Sequence, residues 1–310
     1  MTTNSALVEI FIEFKWHSRD DPFFDLCKSD SNQRPFIRDS KAAHDTLGQI
    51  TSYAAAQLGA QFRTHIFSVY IFRETARLLR WDRSGTIITE AIKYNECDIL
   101  IDFLYRYSKA PPAMRGVDES TSDPSLTEKL AAREALALDE TVPLVKLSVP
   151  DADGIRFFVT ATPEATLYTP PGHATRGFEA YDVLQQTVVY LKDSWRIDLP
   201  DIQAEGQVYA VLSEAGAQHV PHCLASGDIL SEDYHATKTQ TYATEPWAYR
   251  STTHYIPHRH YRLCLNIVGR ILVDYRSSYE MVSAVRDALI GKLLQCGLDY
   301  SLKHQSYITI

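Results

Sequence analysis

The segment YLKDSWRIDLPDIQAEGQVY, residues 190–209, decides the fold of the C-terminal half of this chain. The apolar run VVYL predicts a strand that delivers Lys192, and a polar turn then leads into a helix with Glu205 near its start. A lysine on a strand can reach phosphate groups when a glutamate on a helix holds its ammonium group in place. We therefore predict that Lys192 and Glu205 lie within salt-bridge distance. The alternative is a lysine at a strand end beside an exposed helix glutamate, with no ligand.

The composition is that of a globular protein with about two domains. The chain has 310 residues, of which 45% are hydrophobic and 23% are charged, and its net charge is −8. An acidic chain lacks the basic footprint of proteins that coat nucleic acid, so a nucleic-acid partner is not expected. No apolar run reaches about 18 residues, so no membrane span is expected either.

The N-terminus and the cysteines indicate an intracellular protein, cytoplasmic or nuclear. The segment MTTNSALVEIFIEFK has no basic region and carries two glutamates among its apolar residues, which argues against a signal peptide. The five cysteines are widely spaced, odd in number and never arranged as CxxC. This usage is typical of a reducing compartment.

Three regions follow one another along the chain. Residues 1–107 predict a separate α/β domain. Its central strand, at 8–16, carries Glu13 and has an apolar face of Ile10, Ile12 and Phe14. A helix at 40–61, capped by Ser40 or Asp39, is expected to cover it, and a buried strand follows at 65–72. Residues 108–150 are rich in proline, serine and acidic residues at first, and they predict an exposed linker that contains one short helix, TEKLAAREALAL. From residue 151 onward strands dominate, with a hairpin expected across Gly269 and a last helix at 278–295.

The C-terminal half resembles the fungal-type protein kinase family in the order and spacing of six short motifs. They are GHATRG (172–177), KDSWR (192–196), EGQVY (205–209), GD (227–228), HYRL (260–263) and VGRIL (268–272), followed by SAVRDAL (283–289). The segments IEFK, YAAAQLGAQFRTHIFSVYI and RLLRWDRSG also look like the leading part of that family. The resemblance covers most of the chain.

The resemblance implies an ATP- and Mg²⁺-dependent phosphoryl transfer to serine or threonine of an unknown protein partner. Lys192 would be the lysine that binds ATP, and Glu205 would be its partner on the helix. The backbone around Gly172 and Gly177, which matches the glycine-rich kinase loop only in part, would cover the phosphates.

The sequence departs from that family after SAVRDAL. The family continues into a catalytic loop, HRDIS with a later asparagine, whereas this chain reads IGKLLQCGLDYSLKHQSYITI and contains neither HRD nor DFG. We therefore assign no catalytic residue and expect an incomplete, inactive kinase domain. A shifted frame, a retained intron, a premature stop or a diverged loop at residues 304–306 would each explain this end. A pseudokinase-like binding or scaffold protein is the first alternative.

A second group of residues, in the first region, resembles the RecB-like PD-(D/E)xK nucleases. Glu13 and Lys15 alternate on one strand face, and Gln49 and Tyr53 are spaced as QxxxY on the following helix. Glu13 could hold Mg²⁺ while Lys15 helps to activate water. Those nucleases also need an aspartate on an earlier strand, and none of residues 1–7 is acidic. A nuclease-like scaffold without activity, or a solvated strand face, is the alternative.

Three histidines, His254, His258 and His260, could bind a metal ion, since His258 and His260 would share one face of a strand. No fourth ligand lies nearby in sequence, so we assign no metal site.

The prediction is an α+β protein: a nuclease-like α/β domain at 1–107, a linker at 108–150 and an incomplete kinase-like domain at 151–310. That last domain would combine a twisted five-stranded antiparallel sheet and its helix, as in the ATP-binding N-lobe, with a truncated C-lobe.

Overall fold

The computed structural model describes residues 4–25, 36–163, 169–229, 235–245, 248, 255–270 and 272–298. Helices and strands are both present in these ranges, which confirms the α+β class. The chain forms two compact units, each assembled from separate stretches of sequence. The first combines Met1–Glu119, Thr162–Ala174 and Ser231–Arg259, and the second combines Ser120–Ala161, Thr175–Leu230 and His260–Ile310.

The first unit is built on a four-stranded sheet in the order β1-β2-β3-β4. Its elements are β1 (Phe11–Lys15), α1 (Lys41–Ala60), β2 (Ile66–Phe72), β3 (Thr75–Trp81), β4 (Thr86–Ile88) and α2 (Ile99–Lys109). Strands β1 and β2 are parallel and are joined through α1, whereas β2, β3 and β4 are antiparallel. The core lies between this sheet and α1, where Ile50, Leu58, Tyr70 and Trp81 are buried together.

Helix α1 begins and packs as its sequence predicts. The Ser40 hydroxyl accepts a hydrogen bond from the Ala43 amide at 3.3 Å, which satisfies one of the amides left free at a helix start. Farther along, the Gln57 side-chain amide donates to the Val8 and Glu9 carbonyls at 2.8 and 3.1 Å. The helix is thereby fixed along the backbone that leads into β1.

The prediction that the Glu13 strand is central is wrong. In the described sheet β1 pairs only with β2 and lies at the edge. The expected apolar face is also turned outward, because Ile12 and Phe14 are 41% and 66% exposed. The opposite face, which carries Phe11, Glu13 and Lys15, is half-buried.

The prediction of an exposed linker over residues 108–150 is wrong in its first part, residues 108–126. Gly116, with φ +89°, is buried, and its carbonyl accepts a hydrogen bond from the Thr64 amide at 2.9 Å. Asp118 is 1% exposed and lies 3.6 Å from the His235 ring nitrogen within the same unit. The segment is held because its backbone and its acidic side chain both have partners.

The second unit is a seven-stranded sheet in the order β10-β11-β9-β8-β7-β6-β5, rather than the five-stranded sheet predicted. Its elements are β5 (Thr121–Ser122), α3 (Leu126–Leu136), β6 (Leu144–Asp151), β7 (Gly154–Ala161), β8 (Arg176–Asp182), β9 (Thr187–Ile197), α4 (Glu205–Glu214), β10 (Cys223–Asp228), β11 (His258–Leu265) and α5 (Ser278–Leu298). The pairs β5–β6, β6–β7, β7–β8, β8–β9 and β10–β11 are antiparallel. Strand β6 begins at Leu144, inside the segment predicted as linker.

The sheet of the second unit curls so that β10 approaches β6. A Cβ atom on Gly227 would lie 2.7 Å from the Pro150 Cβ atom, and the Arg156 side chain donates to the Leu224 carbonyl at 2.9 Å. Only a glycine allows so close an approach between the two backbones. The GD segment therefore has a packing role at Gly227.

The predicted hairpin across Gly269 is absent from the described residues. Strand β11 pairs with β10 and β9, and the chain after it forms a short helical turn at Leu272–Asp274. A hairpin partner would need a free edge of β11, and both edges are already paired.

No helix of the described residues has the length and apolar character to span a membrane. Residues 304–306 and His254 lie outside the described residues.

Candidate functional site

Strand β9 presents two faces of different chemistry in the centre of its sheet. Because side chains alternate along a strand, Tyr190, Lys192 and Arg196 share one face, and Asp193 and Trp195 lie on the other. Asp193 and Trp195 are almost completely buried, whereas Tyr190, Lys192 and Arg196 are half-buried. The KDSWR segment thus separates a partly solvent-accessible face from a buried one.

Lys192 and Glu205 form the predicted ion pair on the accessible face. The Lys192 ammonium lies 2.7 Å from Glu205 Oε2, and the two side chains are 19% and 32% exposed. Glu205 is the first residue of α4, where the helix dipole favours a negative charge. The predicted contact between Lys192 and Glu205 is therefore confirmed, and the lysine is held over the sheet by the start of a helix.

A hydrogen bond from the backbone of α4 to the sheet fixes the position of Glu205. The Gly206 amide donates to the Tyr261 hydroxyl on β11 at 2.8 Å, and a Cβ atom on Gly206 would lie 2.6 Å from that oxygen. Burial raises the pKa of Tyr261 to about 12, so its hydroxyl keeps its proton at neutral pH. Sequence reasoning missed this contact, which joins residues 55 positions apart.

The two glycines predicted to cover phosphates occupy different environments. Gly177 lies on β8, directly opposite Lys192, and a Cβ atom there would overlap the Tyr190 hydroxyl and lie 2.9 Å from its ring carbon Cζ. Gly172 belongs to the first unit, has φ +111°, and donates its amide to the Arg83 carbonyl at 2.9 Å. Gly177 is thus required by contact with Tyr190, and Gly172 by its backbone conformation.

A second ion pair continues along the same face of β9. The Arg196 guanidinium donates to both oxygens of Asp228, at 2.7 and 2.6 Å. This bidentate hydrogen bonding, more than the opposing effect of burial, raises the pKa of Arg196. The GD segment thereby contributes its aspartate as well as its glycine to the fold.

Asp193 is the centre of a buried ionic cluster on the opposite face. Its Oδ2 lies 3.0 Å from the Arg176 guanidinium, and its Oδ1 lies 2.8 Å from Arg262 Nε and 2.6 Å from His260 Nε2. Burial alone raises the pKa of Asp193, yet its interactions with His260, Arg262 and Arg176 hold that pKa well below its usual value. The Trp195 ring stacks on the His260 ring with centroids 4.9 Å apart.

This cluster joins motifs that the sequence analysis quoted but could not relate to each other. Arg176 comes from GHATRG, Asp193 from KDSWR, and both His260 and Arg262 from HYRL. The sequence contained one signal for this cluster: an aspartate and an arginine each lie within an apolar strand, and a buried charge needs a partner of opposite sign. The cluster also accounts for His260, whose ring nitrogen faces Asp193, while His258 Nδ1 lies 2.9 Å from the Ile256 carbonyl.

The four residues of the nuclease-like pattern meet in the first unit. The Lys15 ammonium lies 2.9 Å from Glu13 and donates to the Gln49 side-chain oxygen at 2.6 Å. The Gln49 amide in turn donates to the Tyr53 hydroxyl at 2.7 Å, and the Tyr53 ring packs edge-on against Phe11. The resemblance to the nuclease pattern had grouped these four residues, and their side chains are in contact.

Comparisons of the chain with protein-family models, curated proteins and solved structures found no match. Two groups of residues therefore carry the functional proposals: the Lys192–Glu205 pair of the second unit and the Glu13, Lys15, Gln49 and Tyr53 group of the first.

Proposed function

We propose that the second unit binds ATP in the manner of the ATP-binding lobe of protein kinases, with Lys192 and Glu205 at the phosphates. The observation that carries the proposal is the 2.7 Å pair between a lysine on a central strand and a glutamate that begins a helix. The lysine ammonium would neutralise charge on the phosphates, and Glu205 would keep it in position. The same proposal includes the fold: the second unit would be a kinase-like ATP-binding lobe followed by the start of a truncated C-lobe.

The proposed activity is binding without phosphoryl transfer, as in a pseudokinase-like module that presents its site to a protein partner. A kinase needs an aspartate to orient the attacking hydroxyl and further groups to hold Mg²⁺ on the phosphates. The 310 residues contain no HRD or DFG segment to supply them. Mg²⁺ would enter with the nucleotide.

A matched control for the proposal exists within the same unit. Lys146 on β6 pairs with Glu128 in the first turn of α3, also at 2.7 Å, and the side chains are 21% and 16% exposed. Its ammonium lies 4.7 Å from the centre of the Phe157 ring, whereas Lys192 faces Gly177 across the sheet. The two pairs share local chemistry, and only the Lys192 pair has a glycine opposite it.

The test is calorimetric titration of the 310-residue protein with Mg²⁺·ATP, for the wild type, Lys192→Met and Lys146→Met. We expect Lys192→Met to weaken binding about 10- to 100-fold, as the loss of a charge-assisted hydrogen bond implies, and Lys146→Met to bind as the wild type does. Equal affinities for all three proteins, or no binding by the wild type, would exclude this function.

A metal-dependent nuclease-like activity of the first unit is the second candidate. It is favoured by the continuous hydrogen-bonded chain from Glu13 through Lys15 and Gln49 to Tyr53. Against it, no two further acidic or histidine ligands gather at Glu13 among the described residues.

Cleavage of a labelled DNA duplex with Mn²⁺, by the wild type, Glu13→Gln and Glu96→Gln, tests this second candidate. Glu96 is a suitable control because it forms an exposed lysine pair in the same unit. Cleavage that Glu13→Gln alone abolishes would support the activity, and an inert wild type would exclude it.

A further inference from the structure

The Tyr190 hydroxyl lies on the same face of the sheet as Lys192 and ends over the residue opposite it. Tyr190 precedes Lys192 by two positions on β9, so both side chains point the same way. Gly177 pairs with Lys192 across the sheet, and a Cβ atom on Gly177 would overlap the Tyr190 hydroxyl. The phenol therefore runs diagonally from β9 toward β8 and places its hydroxyl over Gly177, the residue that pairs with Lys192.

The Tyr190 hydroxyl is a proton donor that has no acceptor among the described residues. Burial raises the pKa of Tyr190, and the negative charge of Glu205 raises it further, so the group stays protonated at neutral pH. In the part of the chain that the structure describes, no hydrogen bond to this hydroxyl is formed, in contrast to the Tyr261 hydroxyl that binds the Gly206 amide. A half-buried hydroxyl of this kind gains a strong hydrogen bond when a charged acceptor arrives.

We propose that the Tyr190 hydroxyl donates a hydrogen bond to the phosphoryl group that Lys192 binds. The inference rests on the proposed ATP site and adds a ligand-contacting residue to it. Glu205 is itself an anion and can only hold the lysine, so an incoming phosphate needs donors other than Glu205. Because the Tyr190 hydroxyl lies over Gly177, which pairs with Lys192 at the ordinary strand spacing of about 4.8 Å, a phosphoryl group bound by Lys192 would lie within its reach.

Tyr190→Phe tests the inference because it removes the oxygen and keeps the ring. Titration with Mg²⁺·ATP should show binding about tenfold weaker than that of the wild type, while the thermal unfolding midpoint stays unchanged because no internal hydrogen bond is lost. Tyr181→Phe is the matched control: this tyrosine lies on β8 of the same sheet and packs with Ala132 and Val159. It should bind Mg²⁺·ATP as the wild type does.

The outcomes separate this inference from the function on which it rests. If Lys192→Met loses binding but Tyr190→Phe binds as well as the wild type, or more tightly, the hydroxyl is not a ligand contact and only the inference fails. A lowered unfolding midpoint for Tyr190→Phe would show that the hydroxyl has a structural role, which also overturns it. If the wild-type protein does not bind Mg²⁺·ATP, the proposed function fails and the inference fails with it.

Discussion

Replacing Asp193 by asparagine should lower the free energy of unfolding of the second unit more than any substitution on its surface does. Asp193 is 1% exposed and contacts the side chains of Arg176, Arg262 and His260. Removing one partner of a buried ionic contact costs about 3–5 kcal/mol, because the remaining charges stay desolvated. An asparagine keeps an acceptor at one position and turns an N–H₂ group toward a cation at the other. We therefore expect a loss of about 3 kcal/mol in the free energy of unfolding.

Urea denaturation followed by tryptophan fluorescence measures this loss, since Trp195 stacks on His260 within the cluster. Hydrogen exchange of peptides covering β9 assigns the change to this sheet. Asp153→Asn is the control, because Asp153 is exposed in the turn between β6 and β7 and should change stability by less than about 0.5 kcal/mol. A loss below about 1 kcal/mol for Asp193→Asn would refute the argument that Asp193 compensates the buried cations.

The same prediction has a pH dependence with a defined sign. The pKa of Asp193 in the folded protein lies well below its usual value of 3.8, so its contribution to stability is fully present above that value. As pH falls from about 4 toward the lowered pKa, the unfolded state binds the proton first and the contribution is lost. The difference in stability between wild type and Asp193→Asn should shrink as the pH falls below about 4. A difference that stays the same as the pH falls from about 4 to about 2 would contradict this assignment.

Two further predictions concern the first unit and the activity. Gly116→Ala should destabilise the protein by about 3 kcal/mol in thermal or urea unfolding, because its Cβ atom would overlap the His65 carbonyl oxygen and lie 2.8 Å from the carbonyl carbon. Gly154→Ala, where φ is also positive but nothing lies within 4 Å, should cost much less, and equal losses would show that backbone strain alone matters. The 310-residue protein should transfer no phosphate from ATP to a generic serine/threonine substrate, and turnover that Lys192→Ala abolishes would contradict the proposal of binding without transfer.

The sequence by itself determined the elements and the contacts made close together along the chain. The cap at Ser40 predicted the start of α1, and the order of strand, turn and helix predicted that Lys192 meets Glu205 thirteen positions later. The resemblance to the ExK and QxxxY motifs likewise grouped Lys15 with Gln49, and the two side chains are in contact. These contacts follow from periodicity because one strand face and the first turns of the next helix leave few other arrangements.

Only the tertiary structure decided which element covers each face. Hydrophobic alternation showed that Glu13 and Ile12 lie on opposite faces of β1, but it could not tell that β1 would be an edge strand with its more apolar face exposed. The Asp193–Arg262 contact joins residues 69 positions apart, and the Gly206–Tyr261 hydrogen bond joins residues 55 apart. Such pairs depend on how the strands are ordered across a sheet, and strand order is set by the total burial of apolar surface and the pairing of buried charge, which no local pattern encodes.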